Sequence, residues 1–288
     1  MDNTKLAEEH YDRYLDPYEY WSGKNGGGYH FGFPKKFREI FDNEKMTKNM
    51  SELVIEKSKL DYDSPQIILD AGCGAGYLGR ILAKKFKHKD FKIYGITISK
   101  KQLELGNQLN GKDAFKNNLF LSLDNFEQTP FENDYFDAVY FVDSICHGSG
   151  KNKSKALSEA FRILKPGGAV VITDGFLAKE ENDIYFWGKY LSRKVRHIFG
   201  VEEWANKNLF FQEMARIGFR DLKAEDYSYR IAPSVMHALF FKFPGSIVLF
   251  FRGKAKFFQI KYSFLVGFFA PLLGIHPSFK YQIVTAKK

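Results

Sequence analysis

Three groups of residues in this sequence have types and spacings suited to chemistry. The first lies in ILDAGCGAGYLGR, from Ile68 to Arg80, where an apolar run ends in Asp70 and Gly72, Gly74 and Gly76 alternate behind it. Main chain without side chains lets a ligand approach closely. A helix starting near Tyr77 would offer its free amides to a negative group. The bland reading is a Gly-rich turn, although three alternating glycines cost more conformational entropy than a turn requires. The second group is Asp143 and His147, four residues apart behind an apolar run. They supply an acid and a base that titrates near neutral pH, although Asp143 could instead cap the following turn. The third is the aromatic segment holding Tyr18, Glu19, Tyr20, Trp21, Tyr29 and His30. Ring faces stabilise cations, and Glu19 or His30 could take a proton. A lid that only excludes water, with His30 structural, fits the same residues.

These groups need a scaffold. Strand-like apolar runs occur at Gln66–Gly72, Phe91–Ile98, Asn118–Leu123, Phe136–Val142 and Gly168–Gly175. Between most of them lie stretches with helical spacing, Leu78–Phe86, Lys100–Asn110 and Lys153–Leu164. Strands alternating with helices predict an α/β, doubly wound, mostly parallel sheet. In such sheets ligands sit at the C-terminal ends of the strands, which is where the glycine loop falls. The dinucleotide fingerprint G-x-G-x-x-G would place its third glycine at Tyr77, and Thr97 rather than an acid ends the second strand. NAD is therefore disfavoured, and the P-loop pattern is missing from the sequence. Cys146 beside His147 has no companions at metal-ligand spacing, so no metal is expected. The two cysteines form no disulfide framework, and a cytoplasmic setting is expected.

The order LDAGCGAG, YGITISKKQ, FDAVY, RILKPGGAVVITD, spanning about Gln66 to Asp174, resembles the class I S-adenosylmethionine-dependent methyltransferases. GITISKKQ narrows the resemblance to the branch of sterol C-methyltransferases, tocopherol methyltransferases and cyclopropane-fatty-acid synthases. It implies a seven-stranded Rossmann-like sheet and S-adenosyl-L-methionine as cofactor. Asp70, Gly72 and Gly74 would surround the methionine end, and Thr97, Ile98 and Gln102 the ribose and adenosine. Asp124, Asn125 and Phe126 would lie at the adenine, with Asp124 and Asn125 both open as its ligand. Gln102 is also the last residue of a capping box opened by Ser99. YDRYLDPYEYWSGKNGGGYHFGF and VDSICHGSG resemble the aromatic and acid-x-x-Cys-His blocks of the sterol enzymes. That places Tyr29 at the cofactor and Glu19, Tyr20, His30, Asp143 and His147 in catalysis. Asp143 stands where the sterol enzymes have Glu, and Gly148 where they have Ala.

The charge of +9 is uneven: from Tyr227 onward there is no Asp or Glu, against nine Lys and Arg. Two segments, Arg220–Ile231 and Lys280–Lys288, read as an antiparallel strand pair closing the sheet. The Phe-rich, basic insertion between them, 231–279, is too long for a turn and is expected to be helical. Its apolar core, Phe264–Ile275, is too short to span a bilayer. It could wall an apolar pocket, lie on an anionic membrane, or form a homo-oligomer interface. We expect an N-terminal helical and aromatic cap over 1–60 and a methyltransferase domain over 61–288. The expected acceptor is small and lipophilic, most simply an isoprenoid-type alkene methylated on carbon, and a prenyl diphosphate is one form. Alternatives are O- or N-methylation of a lipid or small metabolite, or a non-catalytic cofactor-binding protein that docks on membranes. Nucleic acid fits poorly, because bulky aliphatics interrupt the basic residues.

Overall fold

The computed structural model describes residues 5, 7–12, 28–86, 90–111, 117–253, 256–274 and 276–288. Residues 7–12 are helical and a 3-10 turn covers Phe37–Phe41. The remaining elements, in chain order, are α1 (Asn43–Lys57), β1 (Ile67–Ala71), α2 (Tyr77–Ala83), β2 (Lys92–Thr97), α3 (Lys100–Asn110), β3 (Leu119–Leu123) and β4 (Phe136–Val142). They continue with α4 (Ser154–Ile163), β5 (Leu164–Leu177), α5 (Phe186–Phe199), α6 (Lys207–Ile217), β6 (Arg220–Asp226), α7 (Ser228–His237), α8 (Phe243–Phe251), α9 (Phe257–Gly274) and β7 (Phe279–Lys287).

The strands form one sheet in the order β3-β2-β1-β4-β5-β7-β6. Pairs among β1 to β5 are parallel, and β7 runs antiparallel to both β5 and β6. The central strands are apolar on both faces because helices cover both. Ile68, Ala138 and Val171 pack towards α1 and α2, while Leu69, Val139 and Ile172 pack towards α4 and α6. Met50, Val54 and Ile55 of α1 belong to the same core as Ile68 and Ile93, so the N-terminal cap shares the sheet's interior. The strand order reverses between β1 and β4. Chains leave those two strands towards opposite sides of the sheet and open a crevice at their C-terminal ends.

Two elements differ from the sequence reading. The strand expected over Arg220–Ile231 stops at Asp226, whose Oδ1 accepts from Ser228 N (2.9 Å) and Ser228 Oγ (2.6 Å). That local cap turns the chain into α7 at once. The helical run Ser228–Phe251 is long and apolar enough, by length and composition alone, to cross a membrane. Pro233, Pro244 and a π turn at Ala238–Lys242 interrupt its periodicity, which hid its length in the sequence. The sheet has unlike margins: β6 is charged and exposed, whereas β3 is LFLSL.

Candidate functional site

The glycine loop is built from the end of β1. Gly72 N and Cys73 N both donate to Ile96 O of β2, at 3.0 and 2.9 Å. Gly72 and Gly74 have φ of +83° and +56°. A Cβ at Gly72 would sit 2.5 Å from Ser144 Cβ, and one at Gly74 2.9 Å from the Tyr29 ring. Left-handed backbone and close neighbours together leave only glycine. The loop borders a cleft of about 750 Å³. Asp70, Thr97, Ile98, Gln102, Asp124, Phe126 and Tyr29 line it together with Gly72 and Gly74. Burial pushes the Asp70 carboxyl up to about 7, against the opposing pull of Arg80.

Gln102 completes only half of the capping box, since Ser99 N donates to Thr97 Oγ1 (3.2 Å) and not to the glutamine side chain. Its backbone N donates to Ser99 Oγ (3.2 Å), which caps α3, and its Oε1 accepts from Thr97 Oγ1 (2.9 Å) on the cleft wall. Asp124 and Asn125 separate. Asp124 faces the cleft, with Oδ2 accepting from Ser122 Oγ (3.1 Å). Asn125 is not on the wall; its Oδ1 accepts from Glu127 N (2.9 Å) and closes a turn. The turn thus consumes the Asn125 amide oxygen and leaves Asp124 on the cleft wall.

A second cavity, about 1050 Å³, adjoins the first across Tyr11, Tyr29, His30, Asp143 and His147. Its wall is otherwise mostly apolar, with Phe31, Phe199, Trp204, Ile231, Val266 and Leu273 among its residues. Asp143 has φ +50°. Its Oδ1 accepts from Tyr281 OH (2.5 Å) and its Oδ2 from Phe31 N (2.9 Å). Burial, then the neighbouring Asp174, holds Asp143 well above the carboxylate range. Asp174 accepts from Cys146 N (2.9 Å) and Gly175 N (2.7 Å). Burial pushes it to about 6, and those amides partly oppose the rise.

The two histidines differ in their partners. His30 is buried, with Nδ1 2.9 Å from Phe31 O and Nε2 3.0 Å from Ser51 Oγ. A carbonyl can only accept, so Nδ1 carries the proton and Nε2 accepts from the serine. Burial pulls His30 down to about 4, and both nitrogens are engaged, which is the structural alternative for this residue. His147 Nε2 lies 2.9 Å from Tyr11 OH. Burial and then the charge of Lys153 pull it to about 4, against the Gly200 carbonyl. Lys153 Nζ in turn donates to Gly148 O (3.1 Å) and Glu203 O (2.7 Å), which pins the loop after β4.

Glu19 and Tyr20, like Tyr18 and Trp21, lie outside the described residues. Tyr11, Asp174 and Tyr281 join the site without having been singled out. Tyr11 and Asp174 stood inside quoted motifs, but Tyr281 reaches Asp143 only because β7 pairs with β5, Gly175 opposite Tyr281. That contact has no local sequence signal. Among the described residues no group of three or more His, Cys, Asp or Glu is arranged to hold a metal ion.

Residues 68–168 match the family model described as a methyltransferase domain. Sheet order, glycine loop and this match define a class I methyltransferase domain, the S-adenosylmethionine-dependent kind. The chain is similar to a botryococcene C-methyltransferase of Botryococcus braunii, 34% identical over 174 residues, 58% of this chain and 41% of that one. It is 31% identical over 172 residues to a sarcosine/dimethylglycine N-methyltransferase of Aphanothece halophytica, 59% of each. The chain thus spans roughly half the length of these curated relatives. A cyclopropane synthase of Mycobacterium tuberculosis shares the fold, with a TM-score of 0.80 at 16% identity, over 99% of this chain and 98% of that one. The cleft fits S-adenosylmethionine: a side-chain-free cradle, a buried acid that a cationic group would ionise, and the Thr97–Gln102 pair at the end of β2.

Proposed function

We propose that the protein transfers a methyl group from S-adenosylmethionine to carbon of a small, lipophilic, isoprenoid-type alkene. The observation that carries this reading is the apolar cavity opening onto the glycine-loop cleft through Asp143 and His147. In it, Asp70, Gly72 and Gly74 hold the methionine end of the cofactor, Thr97 and Gln102 the ribose, and Asp124 and Phe126 the adenine. When bound, S-adenosylmethionine supplies a methyl group on a positively charged sulfur, activated for in-line displacement.

The residues around the junction would then serve an acceptor alkene. A C=C π pair that forms a bond to the methyl carbon leaves a cation on the neighbouring carbon. Asp143 and Asp174 are buried acids there, and a developing positive charge draws them towards the carboxylate form. Tyr11 and Tyr281 add ring faces. His147, held neutral by burial with Nε2 against Tyr11 OH (2.9 Å), would take the departing proton through that hydroxyl, which accepts one proton as it passes its own to Nε2. The apolar wall excludes water, which would otherwise capture the cation.

A small amine, the acceptor type named for the Aphanothece relative, matches this wall poorly, because it would bury polar groups against phenylalanine and leucine. A prenyl diphosphate remains one form of the acceptor, and a neutral isoprenoid is the form this wall favours. Among the described residues lining the cavity, Lys242 is the only lysine or arginine. The test is mass spectrometry of products formed with a labelled-methyl donor, offering sterols, linear isoprenoids, prenyl diphosphates, quinones, phospholipids and small amines. A labelled C-methyl product from a neutral isoprenoid is expected. Label only in an amine or a hydroxyl compound overturns the assignment.

A further inference from the structure

Helix α9 has two working faces. Tyr262, Val266, Ala270 and Leu273 are buried, and all four line the large cavity. Phe264, Phe268 and Leu272, set four residues apart on the other side, are 40, 45 and 37% exposed. Ring contacts extend this outer face to neighbouring elements, with Phe243 against Phe264 at 5.2 Å and Phe250 against Phe257 at 6.4 Å. Phe251 and Phe257 are 82 and 69% exposed. Two contacting groups of exposed large apolar side chains on one helix pair mark an interaction surface.

The charges say what covers it. Arg252, Lys256 and Lys261 stand exposed among these rings, and the sequence from Tyr227 to Lys288 holds no Asp or Glu. We propose that the α8–α9 face docks on an anionic phospholipid bilayer. Aromatic rings would enter the acyl boundary while the basic side chains meet phosphate groups. A second copy of the chain is the poorer occupant, since a two-fold contact would set one basic face against another. The protein lies on the bilayer rather than spanning it. The apolar run Ser228–Phe251 is anchored in the domain through its first half, where Ile231 and Val235 are core residues. There Ser234 Oγ accepts from Gly32 N (3.1 Å) and donates to Asn43 Oδ1 (2.9 Å). The proposal stands on the surface alone and is independent of which acceptor is methylated.

The test is sedimentation of the full chain with vesicles of phosphatidylcholine, with and without phosphatidylglycerol, beside analytical ultracentrifugation without lipid. Binding should require phosphatidylglycerol and weaken as salt rises. Replacing Arg252, Lys256 and Lys261 with Gln should weaken binding on the order of a hundredfold. Phe251→Ser with Phe257→Ser should weaken it at constant net charge. Thermal melting matching the unaltered chain shows that the variants fold, because all five side chains are exposed. Absence of binding to phosphatidylglycerol vesicles overturns the proposal. So does a stable dimer that the Phe251→Ser, Phe257→Ser pair converts to monomer.

Discussion

Asp70 should make cofactor binding depend on pH in a calculable way. Its carboxyl is held near pKa 7 by burial beneath the glycine loop. The methionine end of the cofactor carries an ammonium group, and a cation beside a buried acid favours the carboxylate. Binding therefore releases a proton wherever the free protein still holds one. With a pKa of 7, about 0.9 of the molecules are protonated at pH 6, about half at pH 7 and about 0.1 at pH 8. The folded, ligand-free state binds the extra proton and the complex does not, so affinity falls as pH falls below 7. The dissociation constant for S-adenosylhomocysteine should be about tenfold higher at pH 6 than at pH 8. Titration calorimetry at pH 6 in two buffers of different ionisation enthalpy should report release of close to one proton. Asp70→Asn should bind more weakly, with the pH dependence and the proton release both gone. An affinity that is flat from pH 6 to 8 in the unaltered protein refutes the placement of Asp70. So does proton release that persists in Asp70→Asn.

Three further outcomes follow from the geometry. His147→Ala should lower turnover by about 10²- to 10⁴-fold, the range of a general base, while calorimetry shows cofactor affinity within about threefold; unchanged turnover removes its role. Gly74→Ala meets both a left-handed backbone and the Tyr29 ring, so S-adenosylhomocysteine affinity should drop more than about tenfold with the circular dichroism spectrum kept. His30 has a folded pKa near 4, below its ordinary 6.5, so the stability it lends is present above pH 6.5 and is lost as pH falls towards 4. The depression corresponds to about 3 kcal/mol. Asp70 and Asp174 are raised and act in the opposite sense over part of that range. The measurement is therefore the difference between urea-derived stability curves of His30→Gln and the unaltered protein, and parallel curves would count against it.

Legibility in the sequence followed the range of the interactions. The alternating glycines, the run of β1 and the N-cap at Ser99 are local patterns, and the structure carries each where its spacing placed it. The parallel sheet was legible because helices between strands force crossovers. What escaped the sequence depends on distant pairings. Tyr281 meets Asp143 across 138 positions, and Tyr11 meets His147 across 136. Neither residue type nor spacing announces such contacts. Spacing alone did not say which of Asp124 and Asn125 the turn would consume; Glu127 N takes the Asn125 amide oxygen. Helix was the expectation for 231–279, but the two-faced nature of α9 was not legible. Phe, Leu and Val occur all round that helix, so only the three-dimensional neighbours decide which side is wall and which is surface.

The unlike margins of the sheet bear on how the protein fails. Along β6, Arg220, Asp221, Lys223, Glu225 and Asp226 place charge beside the unpaired ladder groups. A foreign strand approaching there would have to desolvate that charge. Along β3 there is no such guard: the strand carries no ionisable side chain, and Phe120 and Leu123 are exposed. Heating or partial unfolding should thus lead to clumping through the β3 margin first, and one lysine in place of Phe120 would be the economical remedy for a preparation that precipitates.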